Sequence, residues 1–429
     1  MKCFLYPDIG RVDEPLQMHM DGLKPKEQII VKLKMEHPSM GIWSSEINTN
    51  ADANGKLSIT NHGKNEFSTL IWNLKPRDNS SAVPFQSSDV TDPIHFHIDM
   101  EAVESNRTES RTVTRLFKED HVSQVNVSTE HFEGSYFYTK GQAKLPTILI
   151  LGGPNGKKRN DIAALLASQG YGAFTLPYFE TYKGTTGLSN VPIEKVNHAM
   201  DWLKNHDSTD GKNIILLGIS KGAELALLAA SKNKGIRGVV AYSPASHVFE
   251  GLNKKNSSSS WTENGKSIPY VPFTFTFGRV LNKLVAKVKK TEPSLTTMYN
   301  NSLAKYERKG KEDAIIKVEN IQGPILLLSG EEDAFWPSAL MAEKIVNRLK
   351  KKNFNYSVNH SKYKNAGHLF ILPFLPATQN MEELYAIGGN PLDNAISGEQ
   401  AWNETIDFLN YHFPPVELPT EVYPFKTSS

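Results

Sequence analysis

Leu216-Leu-Gly-Ile-Ser-Lys-Gly-Ala223 is the most informative segment of the sequence, because it places Gly-x-Ser-x-Gly between a strand-like and a helix-like segment. The apolar residues 214–219 before the serine are typical of a buried strand, and residues 221–232 after it are typical of a helix. In this context the motif predicts a nucleophile elbow, a sharp turn that presents the serine hydroxyl at the end of a sheet. Ser220 is therefore the candidate nucleophile of an α/β-hydrolase fold.

Steric crowding explains why the motif has glycine at two positions. An elbow holds its serine in a strained backbone conformation, and neighbouring backbone passes close to the residues two before and two after it. A side chain at Gly218 or Gly222 would collide with that backbone, so we expect both positions to need glycine.

From about residue 145 onward, short apolar runs alternate with helical stretches, which is typical of a mostly parallel sheet covered on both faces. Further predicted strands are residues 147–151, 172–177, 236–242, 324–329 and 355–361, and further predicted helices are 161–169, 192–206, 338–351 and 399–413. Residues 251–310 interrupt the alternation and are interpreted as an insertion or lid. The sequence therefore predicts a catalytic domain over residues 136–429.

Residues 1–135 have a different pattern. Ile29, Val31, Leu33 and Met35 alternate with mostly polar neighbours, as in a half-buried strand. Further predicted strands at short spacing are residues 43–47, 57–60, 67–74, 94–100 and 111–117. The simplest interpretation is an all-β sandwich domain preceding the α/β hydrolase.

A serine hydroxyl needs a base and an orienting acid, and in this fold the partners follow in the order serine, acid, histidine. The predicted strand 325–329 leads into a loop with three carboxylates, Glu331, Glu332 and Asp333, and any of them has the position of the acid. His368 follows a glycine in a loop beyond the next strand, which is where the base is required.

Acyl transfer also needs N–H donors aimed at the developing oxyanion. Lys221 supplies one backbone N–H by following the nucleophile, and the glycine loop 152–156 is expected to supply the second. Pro154 has no N–H, so Gly153 and Asn155 are the candidates. The loop lacks both the Lys-Ser/Thr of a P-loop and the spacing of a dinucleotide fingerprint, so nucleotide hydrolysis is not predicted.

Composition excludes several other classes of function. Lys and Arg number 48 against 46 Asp and Glu, so no broad basic field favours nucleic acid, and a small-molecule substrate is expected instead. No apolar run approaches the roughly 20 residues of a membrane span. His95 and His97 share one strand face but have no third ligand with usable spacing, so neither a metal nor another cofactor is predicted.

The cytoplasm is the expected compartment. The first twenty residues include Pro7, Asp8, Arg11 and Asp13 where a signal peptide needs an unbroken apolar stretch. The last residues are not a Ser-Lys-Leu address, and a single cysteine, Cys3, fits a reducing environment. Oligomeric state is left open by the sequence.

With these motifs in place, the chain resembles the type I acyl-CoA thioesterases and their relative, bile acid-CoA:amino acid N-acyltransferase. The resemblance rests on the elbow with its Ala223-Glu-Leu225 continuation, on Ser329-Gly-Glu-Glu-Asp-Ala-Phe-Trp336, on Gly367-His368, and on Gly388-Gly389 before a helix with Trp402. It also reaches the β domain at Ser44–Gly55. It implies Ser220 as nucleophile, Asp333 as acid and His368 as base.

The resemblance implies cleavage of acyl-CoA thioesters through an acyl-serine intermediate. The acyltransferase branch looks similar but has cysteine as its nucleophile, so Ser220 favours hydrolysis over transfer to glycine or taurine. Three alternatives stay open: a carboxylesterase or peptidase-like hydrolase without CoA specificity, an N-acyltransferase, and a catalytically silent binding module.

Overall fold

The structure is a computed structural model that describes residues 1–37, 41–59, 67–77, 91–142, 144–179, 187–252, 257–274, 294–377 and 386–416. Parts of the predicted insertion at 251–310 therefore lie outside the described residues. Within the described ranges, no helix is both long enough and apolar enough to pass through a bilayer.

The N-terminal part consists of two sheets. Its strands are β1 (Lys2–Tyr6), β2 (Ile9–Arg11), β3 (Gln17–Asp21), β4 (Gln28–His37), β5 (Gly41–Asn50), β6 (Leu57–Ile59), β7 (Lys75–Pro76), β8 (Ile94–Ala102) and β9 (Arg107–Leu116). One sheet has the order β2-β9-β8-β4-β5-β7 and the other the order β1-β3-β6. Val31 and Leu33 of the large sheet share one apolar core with Met18 and Ile59 of the small sheet, so the region predicted as an all-β sandwich is rich in β-structure.

One predicted strand of this region, residues 67–74, is wrong. The segment forms helix α1 (Phe67–Trp72). Phe67, Leu70, Ile71 and Leu74 are all buried, and their spacing of three and four residues is that of a helix face. Apolar content alone does not distinguish a strand from a helix in so short a segment.

The second part is built on an eight-stranded sheet. Its strands are β10 (Val122–Ser128), β11 (Glu133–Thr139), β12 (Leu145–Leu151), β13 (Gly172–Thr175), β15 (Thr209–Ile219), β16 (Ile236–Tyr242), β19 (Ile325–Gly330) and β20 (Val358–Tyr363). The order is β10-β11-β13-β12-β15-β16-β19-β20, and the six strands from β13 to β20 run parallel. This arrangement confirms the predicted α/β-hydrolase fold.

Helices and one small sheet complete this part. The helices are α2 (Asn160–Ala167), α3 (Glu194–Lys204), α4 (Lys221–Lys232), α5 (Thr296–Arg308), α6 (Ser338–Lys351) and α7 (Pro391–His412), with a 3₁₀ turn at Val318–Asn320. The small sheet contains β14 (Val191–Pro192), β17 (Trp261–Glu263) and β18 (Lys266–Ser267). Helix α7 begins at Pro391 rather than at 399, because Asn390 caps it by accepting a hydrogen bond from the Asp393 N–H at 2.9 Å.

The division between the two parts lies close to the strand pair β10 and β11. Both strands join the eight-stranded sheet by antiparallel pairing, with Tyr136 opposite Phe174 of β13. Residue 135, the predicted boundary, falls inside β11, so a cut there would divide a strand of this sheet. We propose that the N-terminal domain ends before Val122.

Asp13 connects the two parts through a buried carboxylate, whose side chain is 3% exposed. Its Oδ2 accepts hydrogen bonds from the Gln169 amide at 2.7 Å and from the Trp402 indole N–H at 3.0 Å. Its Oδ1 accepts from the Arg11 guanidinium at 3.0 Å. A charged acceptor shared by donors from α7 and from the end of α2 fixes the N-terminal domain against the catalytic sheet.

Replacing Asp13 by Ala should lower the free energy of unfolding by about 2–4 kcal/mol, because two buried donors lose their charged acceptor. The measurement is urea unfolding followed by tryptophan fluorescence. Asp8→Ala is the matched control, since the Asp8 carboxylate is exposed and accepts a hydrogen bond from the N–H of the next residue, Ile9. Equal unfolding curves for the two variants would show that Asp13 does not connect the domains.

Candidate active site

Ser220 occupies a sharp turn between β15 and α4. Its backbone has φ 57° and ψ −118°, a region that non-glycine residues rarely enter. The Ser220 N–H donates to the Tyr242 carbonyl at 2.9 Å, and the Ser220 carbonyl accepts from the N–H groups of Ala223 and Glu224. These bonds hold the strained turn on both sides, as the elbow prediction requires.

The space at the two motif glycines is closed by backbone. A Cβ at Gly218 would lie 2.4 Å from the Gly222 carbonyl oxygen, and a Cβ at Gly222 would lie 2.1 Å from the Leu151 carbonyl oxygen. Neither neighbour is a flexible side chain that can move aside. Any larger residue at either position would therefore push the elbow away from β12 or from α4.

The structure brings the three predicted triad residues together. Ser220 Oγ lies 2.8 Å from His368 Nε2, and His368 Nδ1 lies 2.8 Å from Asp333 Oδ2. All three residues are buried, with exposures of 1%, 5% and 6% for Ser220, His368 and Asp333. This geometry allows the Ser220 hydroxyl to donate to one imidazole nitrogen of His368 while the other nitrogen donates to the Asp333 carboxylate.

Among the three acidic candidates of the loop, Asp333 is the one bonded to His368. Glu331 and Glu332 are exposed. The second oxygen of Asp333, Oδ1, accepts from the backbone N–H groups of Phe335 and Trp336 at 2.9 and 3.1 Å. One oxygen therefore fixes the carboxylate in its own loop while the other orients the imidazole.

A set of hydrogen bonds made by residues 387–394, which we call the clamp, was not predicted from the sequence. It joins the loop that contains Asp333 (the acid loop) to the loop that contains His368 (the base loop). The Ile387 carbonyl accepts from the His368 N–H at 2.7 Å and from the Ala334 N–H at 3.3 Å. The Asn394 side chain accepts from the Gly367 N–H at 2.6 Å and donates to the Gly388 carbonyl at 3.1 Å. In the sequence, the pair Gly388-Gly389 was the only feature that pointed to this segment.

Gly388 allows this clamp to approach closely. Its φ is +80°, and a Cβ there would lie 1.8 Å from the Glu332 carbonyl oxygen. A Cβ at Gly367 would in turn lie 2.0 Å from the Gly388 carbonyl oxygen. The backbones of the acid loop, the base loop and the 386–390 segment are therefore packed without intervening side chains.

Ser243 is a second residue that the sequence did not point to. It follows β16 with φ 48°, and its buried hydroxyl donates to the His368 carbonyl at 2.6 Å. The carbonyl of the preceding residue, Tyr242, accepts from the Ser220 N–H. Adjacent residues at the end of β16 thus hold the serine and the histidine.

Two aromatic rings enclose the imidazole. Phe335 stacks on His368 with centroids 4.8 Å apart, and Trp336 meets it edge-on at 5.5 Å. Because both rings belong to the acid loop, the loop that provides Asp333 also restricts the orientation of His368.

The predicted oxyanion donors lie on two adjoining segments. Lys221 is the first residue of α4, and the position of a Gly222 Cβ, 2.2 Å from the Gly152 carbonyl oxygen, shows that the glycine loop passes directly beside it. In that loop the Gly156 N–H closes a turn on the Gly153 carbonyl at 2.9 Å, and Asn155 Oδ1 accepts from the Lys157 N–H at 3.1 Å. Gly153 and Asn155 stay candidates for the second donor.

His95 and His97 are held by threonines of the neighbouring strand. His95 Nδ1 pairs with Thr114 Oγ1 at 3.1 Å, and His97 Nδ1 pairs with Thr112 Oγ1 at 3.0 Å. No group of three or more metal-ligating side chains occurs in the described ranges.

Comparison with known protein families shows to which family the chain belongs. Residues 191–415 match the family described as BAAT / Acyl-CoA thioester hydrolase C terminal, and residues 13–129 match the Acyl-CoA thioester hydrolase/BAAT N-terminal region. The chain belongs to this family. The first match spans β14 to α7, and the second spans β3 to β10.

Individual relatives are similar over nearly the whole chain. Rat acyl-coenzyme A thioesterase 1 is 25% identical, covering 93% of this chain and 93% of the relative. Mouse bile acid-CoA:amino acid N-acyltransferase is 24% identical, covering 96% of this chain and 98% of the relative. Among solved structures, a putative dienelactone hydrolase from Klebsiella pneumoniae is 15% identical with a TM-score of 0.43, covering 68% of this chain and 99% of that chain.

Replacing Asn394 by Ala should slow the reaction of Ser220 with a fluorophosphonate by about 10- to 100-fold, because small misplacements of catalytic groups are costly. The measurement is the second-order rate of labelling. Asn403→Ala, an exposed site on the same helix, is the control and should label at the wild-type rate. An unchanged rate in Asn394→Ala would show that the clamp does not position His368.

Proposed function

We propose that this member of the family is a serine hydrolase that cleaves acyl-CoA thioesters to the free acid and CoA. The observation that supports the proposal is the buried chain of hydrogen bonds from Ser220 through His368 to Asp333, each bond at 2.8 Å. Its relatives include both thioesterases and an amino acid N-acyltransferase. The serine at position 220 favours hydrolysis.

In the proposed first half-reaction, Ser220 Oγ attacks the thioester carbonyl carbon while its proton passes to His368 Nε2. Asp333 stabilises the imidazolium that forms. The carbonyl oxygen becomes an oxyanion facing the Lys221 N–H and a donor from the glycine loop. The tetrahedral intermediate then expels the CoA sulfur, which takes the proton from His368, and the acyl group remains on Ser220.

In the second half-reaction, water takes the place of CoA. His368 accepts a proton from the water as its oxygen attacks the acyl-serine carbonyl. Collapse of the second tetrahedral intermediate returns the proton to Ser220 Oγ and releases the free acid. The same histidine thus acts alternately as base and acid, which requires that Asp333 keep its orientation throughout.

Ser220→Ala should reduce turnover by about 10³-fold or more while leaving the fold intact, because triad members act as a unit. Ser231→Ala is a matched control on the same helix, since its hydroxyl donates only within α4, to the Leu228 carbonyl. The readouts are steady-state hydrolysis and thermal unfolding. Activity retained in Ser220→Ala would overturn the assignment of the nucleophile.

The substrate class is tested with acetyl-, octanoyl- and palmitoyl-CoA and with p-nitrophenyl esters, each with and without taurine or glycine. The expected result is release of free CoA without amide formation. Cleavage of esters with inert thioesters would move the assignment to a carboxylesterase. Amide products would identify an N-acyltransferase, and inertness towards all substrates would favour a binding module.

A further inference from the structure

A completely buried ion pair lies in the first turn of α4, next to the nucleophile. Lys221 Nζ and Glu224 Oε2 are 2.8 Å apart, and both side chains are 0% exposed. The two residues are three apart on the helix, so their side chains meet on one face. Proton transfer between Ser220, His368 and Asp333 uses neither of them.

Glu224 is the centre of a larger network. Its Oε1 accepts from the Trp261 indole N–H at 2.7 Å and from the Phe249 backbone N–H at 3.3 Å. On the other side, Lys221 Nζ donates to Ser260 Oγ at 2.8 Å, and that hydroxyl donates to the Phe249 carbonyl at 2.9 Å. The pair therefore ties the start of α4 to the loop after β16 and to β17.

Stability alone does not explain why the pair is there. Burial lowers the pKa of Lys221 and raises the pKa of Glu224, because desolvation disfavours the charged form of each group and the partner charge only opposes this effect. Replacing a buried ion pair by well-packed hydrophobic side chains of similar volume is often neutral or stabilising. The position of the pair beside the elbow indicates that it helps to place the groups that take part in the reaction.

Two contacts connect the ion pair to the reaction centre. The backbone N–H of Lys221 is the proposed oxyanion donor, so fixing the Lys221 side chain also restricts that N–H. Phe249, whose backbone is held by Glu224 and Ser260, packs its ring against Tyr299 at 5.0 Å and Trp336 at 6.5 Å. Trp336 meets the His368 ring at 5.5 Å.

We propose that Lys221 and Glu224 are positioning residues. They orient the Lys221 N–H towards the oxyanion and, through Phe249, hold the Trp336 ring beside His368. The inference rests on the proposed function, since it assigns the ion pair to the same reaction. The pair acts through the elbow and does not touch the substrate. Its loss should therefore lower the rate of the chemical step more than it changes substrate binding.

The test compares Lys221→Met with the double variant Lys221→Met/Glu224→Gln. The single variant leaves a buried carboxylate without its cation and should lower Tm by roughly 10 °C. In the double variant, the side chain at position 224 is an uncharged amide whose carbonyl oxygen still accepts from Trp261 and Phe249, so Tm should return close to the wild-type value. Ser260→Ala is a milder variant that keeps the ion pair and removes one Lys221 acceptor.

The readout is phosphonylation of Ser220 by a fluorophosphonate, in which an O–P bond forms, fluoride leaves and the serine proton passes to His368. The double variant should react about 10- to 100-fold more slowly, with kcat for thioesters falling equally and KM changing little. Ser260→Ala should show a smaller loss in the same direction. Lys232→Met is the control, because Lys232 is the last residue of the same helix and its ion pair with Glu263 of β17 is more than a third exposed on both sides.

A stable double variant that reacts at the wild-type rate would overturn the inference and leave the pair a purely structural element. If the double variant does not fold, an unchanged rate in Ser260→Ala overturns it instead. Wild-type protein that is labelled at Ser220 but does not cleave thioesters would contradict the proposed substrate, while the relative labelling rates still decide the positioning role. Wild-type protein that is not labelled at Ser220 would contradict both.

Discussion

The turn at Ser220 is the constraint on which the rest of the site depends. A φ of 57° places the serine hydroxyl beyond the end of the sheet, towards His368. The turn is kept by the Ser220 N–H bond to Tyr242 and by the absence of side chains at Gly218 and Gly222. Strain of this kind costs of order 1–3 kcal/mol, so the surrounding packing must over-determine it.

Around that turn, close backbone contacts and a few polar side chains set the distances between the loops. The Ile387 carbonyl joins the loops of Asp333 and His368, and Gly388 makes the approach close enough for this. Ser243 ties the His368 carbonyl to the strand next to the elbow. The triad is therefore held by both connections, which join loops at the carboxyl ends of β16, β19 and β20, where parallel sheets build their sites.

Much of the fold and the triad could be predicted from the sequence, because their signals are local. The strand, elbow and helix around residue 220 are consecutive, and the order of acid and histidine follows the fold. The clamp at Asn394 and the network of Glu224 with Trp261 join residues far apart in sequence, so no local period reveals them. The strand prediction for residues 67–74 was wrong because the apolar content of this short segment fits a strand as well as a helix, and only the three- and four-residue spacing of its buried residues indicates the helix.

The elbow is expected to lift Ser220 Oγ to His368 Nε2 and to direct an oxyanion to the Lys221 N–H. A crystal structure of the protein after reaction with a fluorophosphonate tests it most directly. We expect phosphorus bonded to Ser220 Oγ and a phosphonyl oxygen about 2.7–3.1 Å from the Lys221 backbone nitrogen. Phosphorus on another side chain, or a phosphonyl oxygen turned away from Lys221, would show that the elbow does not have this role.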